Sequence, residues 1–302
     1  MTNIARRLMA LFALVILAAC SAPTERVTTP MITRGYDGIQ DGEYFIQPVA
    51  ARHLAGGQAR VEVNYAGDEQ PGSIVVDTFA RKLYFILEGG RAIRYAIAVG
   101  REGISFRGSG VIGRMEEWPS WQPTANMVRT RPDLYAEFAG GLPGGLENPL
   151  GARAMYLFRG GRDSKFRIHG TIQNESIGHA TSAGCIRMFN QDAIDLYNRV
   201  SIGALVKVRS LEESIAIEGP YMDDAYGRAV PATPANVSRL QIDAAEIAET
   251  EAVLVEEEAI AAAKAAKDAA KADKKRLAVC SRNGIDKWKC PPAPAAEAVT
   301  QG

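Results

Sequence analysis

What the chain has little of narrows it first. Its 302 residues include three histidines, four cysteines and three tryptophans, so few side chains are available for proton transfer near neutral pH. Lys plus Arg (35) equals Asp plus Glu (35), a formal net charge of zero. Gripping a phosphate backbone needs a basic excess, so no nucleic-acid partner is expected. The apolar run Leu8–Ala19 is about a dozen residues, short of the roughly 20 that cross a bilayer. Cys185, His179 and His169 stand 6 and 10 residues apart, which matches no short-spaced zinc pattern. The length does allow one large or two ordinary domains with a sizeable core.

The N-terminus is informative. Arg6 and Arg7 before that run make an export signal. The run closes on Leu17-Ala18-Ala19-Cys20, which resembles a bacterial lipoprotein signal; an ordinary cleaved signal with an incidental cysteine is the alternative. The resemblance implies removal of residues 1–19, lipid on the Cys20 thiol and, with Ser21 rather than Asp, sorting to the outer membrane. The protein is then expected on the periplasmic side of the cell envelope, lipid-anchored. Cys280 and Cys290, in CSRNGIDKWKC across an Asn283-Gly284 turn signal, could close a small disulfide loop there. Cys185 is left unpaired, and an odd exported thiol needs a reason.

Residues 20–71 are mixed and turn-rich and read as linker and lead-in. From Ser73, SIVVDTFARKLYFILEGGRAIRYAIAVG sets β-branched and aromatic runs (74–76, 83–87, 93–99) between Asp77-Thr78 and Gly89-Gly90. That is the pattern of antiparallel strands joined by hairpins. Residues 154–158, 166–168 and 204–208 are further strand candidates. Between them, residues 103–151 are rich in Gly, Pro and Trp without a steady period, which predicts a long functional loop region with a short helix near 132–138. Residues 190–200 space apolar side chains at helical intervals, with Asn190 as N-cap and Gly203 past the end. Residues 210–235 read as a hinge and 236–302 as a helical tail. In that tail Leu240, Ile247, Leu254 and Ala261 recur every seven residues, acidic side chains come early and lysines late. A coiled-coil or wall-contacting arm fits, and so does a solvated spacer.

Residues 168–188, IHGTIQNESIGHATSAGCIRM, hold two of the three histidines and Cys185. A thiol attacks as thiolate, so it needs a neighbouring base or positive potential. His169, sixteen positions earlier at the end of a strand, could be returned to Cys185 by the loop. Gly184 permits close backbone approach, the nearby amides are oxyanion-hole candidates, and Arg187 adds positive charge. On spacing alone, a buried small thiol and a satisfied core histidine fit as well.

HGT, SIG and SAGCIRM followed by NQDAIDLY resemble the YkuD-type L,D-transpeptidase catalytic domain of bacterial cell-wall enzymes. The likeness covers roughly residues 72–209, with VVD near its start, WPSWQPTANM at 118–127 and NPLGARA at 148–154. It implies a mainly β, YkuD-like β-sandwich with short helices and a long loop region, followed by the helical tail. It also implies Cys185 as nucleophile and His169 as general base and acid, with the Gly170 carbonyl orienting the imidazole. The Gly184 and Cys185 amides would hold the oxyanion, with Arg187 and Ser182 facing substrate. Many members carry histidine where this chain has Ala183, which counts against an essential role for that position. His179 has no counterpart and reads as a solvent-facing loop residue. The implied reaction is acyl transfer from the meso-diaminopimelate–D-Ala bond of a peptidoglycan tetrapeptide stem, with no metal and no cofactor. An amine of a second stem would give a 3→3 crosslink, an outer-membrane protein amine a protein–wall link, and water a carboxypeptidase or endopeptidase. Carbapenems acylate this family's thiol. A non-catalytic wall-binding lipoprotein remains as a further alternative, against which the unpaired Cys185 counts.

Overall fold

The computed structural model describes residues 35–100, 106–182 and 184–291. The expected export signal, the expected lipidation at Cys20 and position 183 lie outside the described residues. The described residues open with a hairpin, β1 (Ile39–Asp41) and β2 (Tyr44–Ile46), then a short helix, α1 (Ala51–Leu54), and β3 (Val61–Asn64). These residues were expected as linker and lead-in, yet β3 joins the edge of the main sheet beside β6 (Arg91–Ala96). Tyr36, Val49 and Leu54 also supply a buried cluster with Phe189, which ties the segment to the body.

Next come β4 (Ile74–Asp77), β5 (Lys82–Leu87), β7 (Val99–Gly100) and β8 (Gly108–Glu117). An insertion carrying α2 (Ala125–Thr130) and α3 (Pro132–Tyr135) leads to β9 (Arg153–Arg159) and β10 (Arg162–His169). The chain continues through β11 (Ala180–Ser182), β12 (Ile186–Arg187), α4 (Asn190–Tyr197) and β13 (Leu205–Val208). One nine-stranded sheet runs β12-β10-β9-β8-β13-β4-β5-β6-β3. Ile74, Leu83 and Tyr95 from one half share a buried cluster with Met155, Leu157, Ile168 and Ile186 from the other, so the sheet folds over its own inner face as a sandwich. Each fully buried aliphatic side chain contributes roughly 1.5–3 kcal/mol. Ala98 and Arg187 exchange both backbone hydrogen bonds, each 2.9 Å, where the curl meets itself.

Strand β8 is the main departure from the sequence reading, which took it as the start of a loop. Glycines weaken a strand pattern, and here they serve close approach. A Cβ at Gly113 would lie 2.3 Å from the Phe158 ring, so the ring packs against bare backbone. Residues 210–235 also differ from the hinge expected. Ser210 and Glu213 form a reciprocal capping box that starts α5 (Leu211–Glu218), and β14 (Tyr221–Asp223) pairs with β15 (Ala229–Pro231). The glycines fall in the connections: Gly219 caps α5 and Gly227 turns the hairpin.

The tail is α6 (Pro234–Arg282), with Thr233 accepting from the Asn236 amide and proline in the first turn. Residues 248–272 are all exposed, Leu254 among them. Cys280 and Cys290 are disulfide-bonded. Among the described residues no helix is long and apolar enough to cross a membrane.

Candidate active site

β10 and β12 lie side by side and parallel, with Ile168 opposite Ile186 and His169 opposite Arg187. Side chains alternate across a strand. Ile168 and Ile186 point into the core, which sends Arg167, His169 and Arg187 to the other face. Cys185, just before β12, comes level with Arg167. Parallel pairing thus collapses sixteen sequence positions into adjacent strands.

His169 is buried, and its Nδ1 lies 2.6 Å from the Gly170 carbonyl. A carbonyl only accepts, so Nδ1 carries the hydrogen and Nε2 keeps its lone pair. Burial first, then the Arg187 charge, pull the ring pKa down to about 3 against the pull of the Gly170 and Leu150 carbonyls. The imidazole is therefore neutral at physiological pH. Cys185 is the free cysteine of the described residues and is partly exposed. Burial pushes its thiol up, and Asp163 adds to that; the Arg167 amide and the Arg167 and Arg187 guanidiniums pull it back. The resting pair is thiol and neutral imidazole.

Asn190 does not cap α4 as the sequence suggested; Phe189 holds the N-cap position. Its Oδ1 accepts from the Ala152 amide (2.9 Å) and the Thr171 amide (3.2 Å), and its Nδ2 donates to the Thr171 carbonyl (2.9 Å). Those amides would otherwise lack acceptors, a larger loss than an uncapped helix start. A Cβ at Gly170 would sit 2.1 Å from Asn190 Oδ1, so the contact demands glycine there. Asn190 thereby fixes the turn whose carbonyl orients His169.

Ser182 was expected to face substrate. Instead it is buried and laces the turn: its hydroxyl donates to the Cys185 carbonyl (2.6 Å) and accepts from the Gly184 amide (3.2 Å). The Gly184 amide is thus occupied. Arg187 donates to Gln173 Oε1 (3.1 Å); burial pulls its pKa down, and Cys185 and Glu175 oppose that. Tyr135, on α3 of the insertion of residues 118–150, lies within electrostatic range of Arg187. His179 is half-buried rather than solvent-facing: its backbone bridges to Arg228, and burial lowers its pKa.

The sequence reading missed Arg167, Asp163, Tyr156 and the bracing role of Asn190. Arg167 grips Asp163 with both nitrogens (2.7 and 2.8 Å) and lies 4.1 Å from the Tyr156 ring centre. Alternation from His169 along β10 was the available signal for Arg167. A cavity of about 1200 Å³ beside α5 contains none of these residues. Three of its four cations are matched, Arg81 by Asp223, Lys207 by Glu213 and Arg209 by Asp77, and the fourth is Arg107.

An unpaired thiol and a neutral, carbonyl-oriented imidazole on one sheet face are the equipment of cysteine-based acyl chemistry. A family model described as YkuD, the L,D-transpeptidase catalytic domain, matches residues 71–208. A Fuscovulum blasticum protein whose name assigns it provisionally to the L,D-transpeptidases is 34% identical over 138 residues, covering 45% of this chain and 68% of that one. The chain belongs to the YkuD L,D-transpeptidase family. "Probable L,D-transpeptidase ErfK/SrfK" of Escherichia coli (strain K12) is 31% identical, over 45% of this chain and 43% of its own length. The match thus spans less than half of that relative. A crystal structure from Brucella melitensis, described as a probable carnitine operon oxidoreductase, is 44% identical over 52% of this chain and 96% of its own, with a TM-score of 0.36.

Proposed function

We propose that the protein is a peptidoglycan L,D-transpeptidase with Cys185 as nucleophile. The supporting observation is the buried His169, its Nδ1 held 2.6 Å from the Gly170 carbonyl, on the same sheet face as Cys185. Attack moves the thiol proton to His169 Nε2 while the sulfur bonds to the carbonyl carbon of the meso-diaminopimelate–D-Ala bond. The carbon–nitrogen bond then breaks, His169 returns the proton to the departing D-Ala amine, and a thioester remains. An amine acceptor reverses the sequence and forms the new amide. The Gly184 amide serves the oxyanion by leaving the Ser182 hydroxyl, and Arg187 faces the donor stem. Lipid on Cys20 would hold this chemistry at the periplasmic face of the outer membrane, within reach of wall stems or a protein acceptor.

The test is incubation of the chain from Ser21 with disaccharide tetrapeptide, followed by mass spectrometry beside Cys185→Ala. Dimeric muropeptide from the parent alone supports transpeptidation. Cleaved stems without dimers reassign it as a hydrolase. Equal wall binding with untouched substrate in both proteins would leave only a tether. A carbapenem adduct that persists in Cys185→Ala would remove Cys185 as nucleophile.

A further inference from the structure

We propose that Arg167 is a positioning residue for the Cys185 thiol, holding a fixed positive charge beside the sulfur, and that Asp163 sets how much of that charge the sulfur feels. The inference rests on Cys185 being the reacting thiol. Its basis is the way β10 is built. In a regular strand, residues four apart stand roughly 13 Å apart and cannot form an ion pair. Here the β9–β10 register shifts between Asp163 and Arg167, and Lys165 adopts a left-handed φ of 67°. Asp163 Oδ1 accepts from the Lys165 amide (2.8 Å), which curls the strand until Asp163 and Arg167 meet. The guanidinium is then held by a two-pronged bond to the carboxylate and by the Tyr156 ring.

The sheet register gives the rest of the neighbourhood. One row across the strands runs Arg114, Tyr156, Arg167 and then Cys185; the next runs Glu116, Ala154, His169, Arg187. Arg114 is matched by Glu116 (3.0 Å), which also accepts from the Tyr156 hydroxyl (2.5 Å). Lys165 is exposed and lies 3.6 Å from Asp163. Arg187, bonded to Gln173 on the next row, also lowers the thiol, and both variants keep it; His169 is neutral. The Arg167–Asp163 pair is thus the charged unit of β10 level with the sulfur, and its two members act on the thiol in opposite senses. An amide from Arg167 also reaches the sulfur, and any substitution keeps it.

The experiment follows Cys185 alkylation by iodoacetamide from pH 5 to 11, by mass spectrometry, on the chain from Ser21. That chain keeps every described residue, and with the Cys280–Cys290 bond intact Cys185 is its free thiol. Arg167→Gln is expected to slow alkylation at pH 7 by roughly three- to tenfold and to move the titration midpoint up. Asp163→Asn, which can still accept from the Lys165 amide, is expected to quicken it by a similar factor and move the midpoint down. Both substitutions break one ion pair, so a mere brace would shift the two variants in the same direction. Shifts of one sign, or none, overturn the proposal. If Arg167→Gln does not fold, Asp163→Asn decides through the titration midpoint: a lower midpoint at an unchanged melting temperature supports the charge account, and an unmoved or higher one overturns it. Opposite shifts in a protein that makes no crosslinks would keep this inference and remove the transpeptidase reading. Crosslinking with an unmoved thiol titration would do the reverse.

Discussion

Two buried polar clusters belong to the same sheet and are satisfied in opposite ways. Around Arg209 each charge meets its opposite: Asp77 at 3.2 Å and Glu218 at 2.8 Å, with the Tyr84 hydroxyl also donating to Glu218 (2.6 Å). Around Cys185 the proposed reacting groups are uncharged, and His169 bonds a backbone carbonyl where a carboxylate could have stood. A matched buried ion pair resists loss of either partner, because the survivor is stranded in low dielectric. A neutral thiol–imidazole pair carries no such debt and keeps a proton that can move. The first cluster fastens α5 to β4; the second is left free to react.

Four substitutions should separate these roles. Cys185→Ala is expected to lower acyl transfer at least about 10³-fold while leaving the melting temperature within a few degrees, read by product mass spectrometry and calorimetry. Residual turnover above a tenth would refute the assignment. Asp77→Ala should do the converse, costing about 3–5 kcal/mol in urea unfolding with per-molecule activity of the folded fraction nearly unchanged. A loss of activity at intact stability would erase the contrast between the clusters. His169 sets an acid dependence whose sign is fixed. Its ring titrates near 6.5 when unfolded and at about 3 when folded, so between those values only the unfolded chain binds the proton. Stability therefore falls as pH drops from 6.5 toward 3, by up to about 1.4 kcal/mol per unit. His169→Gln should lose that slope; unfolding curves that stay parallel to the parent at pH 7, 6 and 5 would contradict a neutral buried ring. Asn190→Ala, leaving two backbone amides without their acceptor, should cost about 1–3 kcal/mol and lower kcat more than it raises KM.

The antiparallel strands 74–99 were legible because β-branched runs and turn residues agree there. β8 was not, since Gly110 and Gly113 erase the apolar alternation that their neighbours' rings restore by packing on the backbone. The motif 168–188 identified Cys185, His169, Gly170, Gly184 and Arg187 as candidates, but not that Ser182 spends its hydroxyl inside the turn. Arg167 escaped because its place beside Cys185 depends on a two-residue parallel strand, a pairing that no local pattern announces. Asn190 looked like a helix start because asparagine favours that position, yet a long-range demand from Ala152 and Thr171 claimed its side chain.

The helix α6 has a consequence for distance. Its 49 residues extend about 73 Å at 1.5 Å per residue. A flexible chain of that length would average only about 40 Å between its ends and range widely around that value. The disulfide-closed end is therefore held at a nearly set separation from Thr233, where the helix begins. The tail behaves as a ruler, and whatever is attached at its tip is kept at arm's length from the hairpin that precedes the helix.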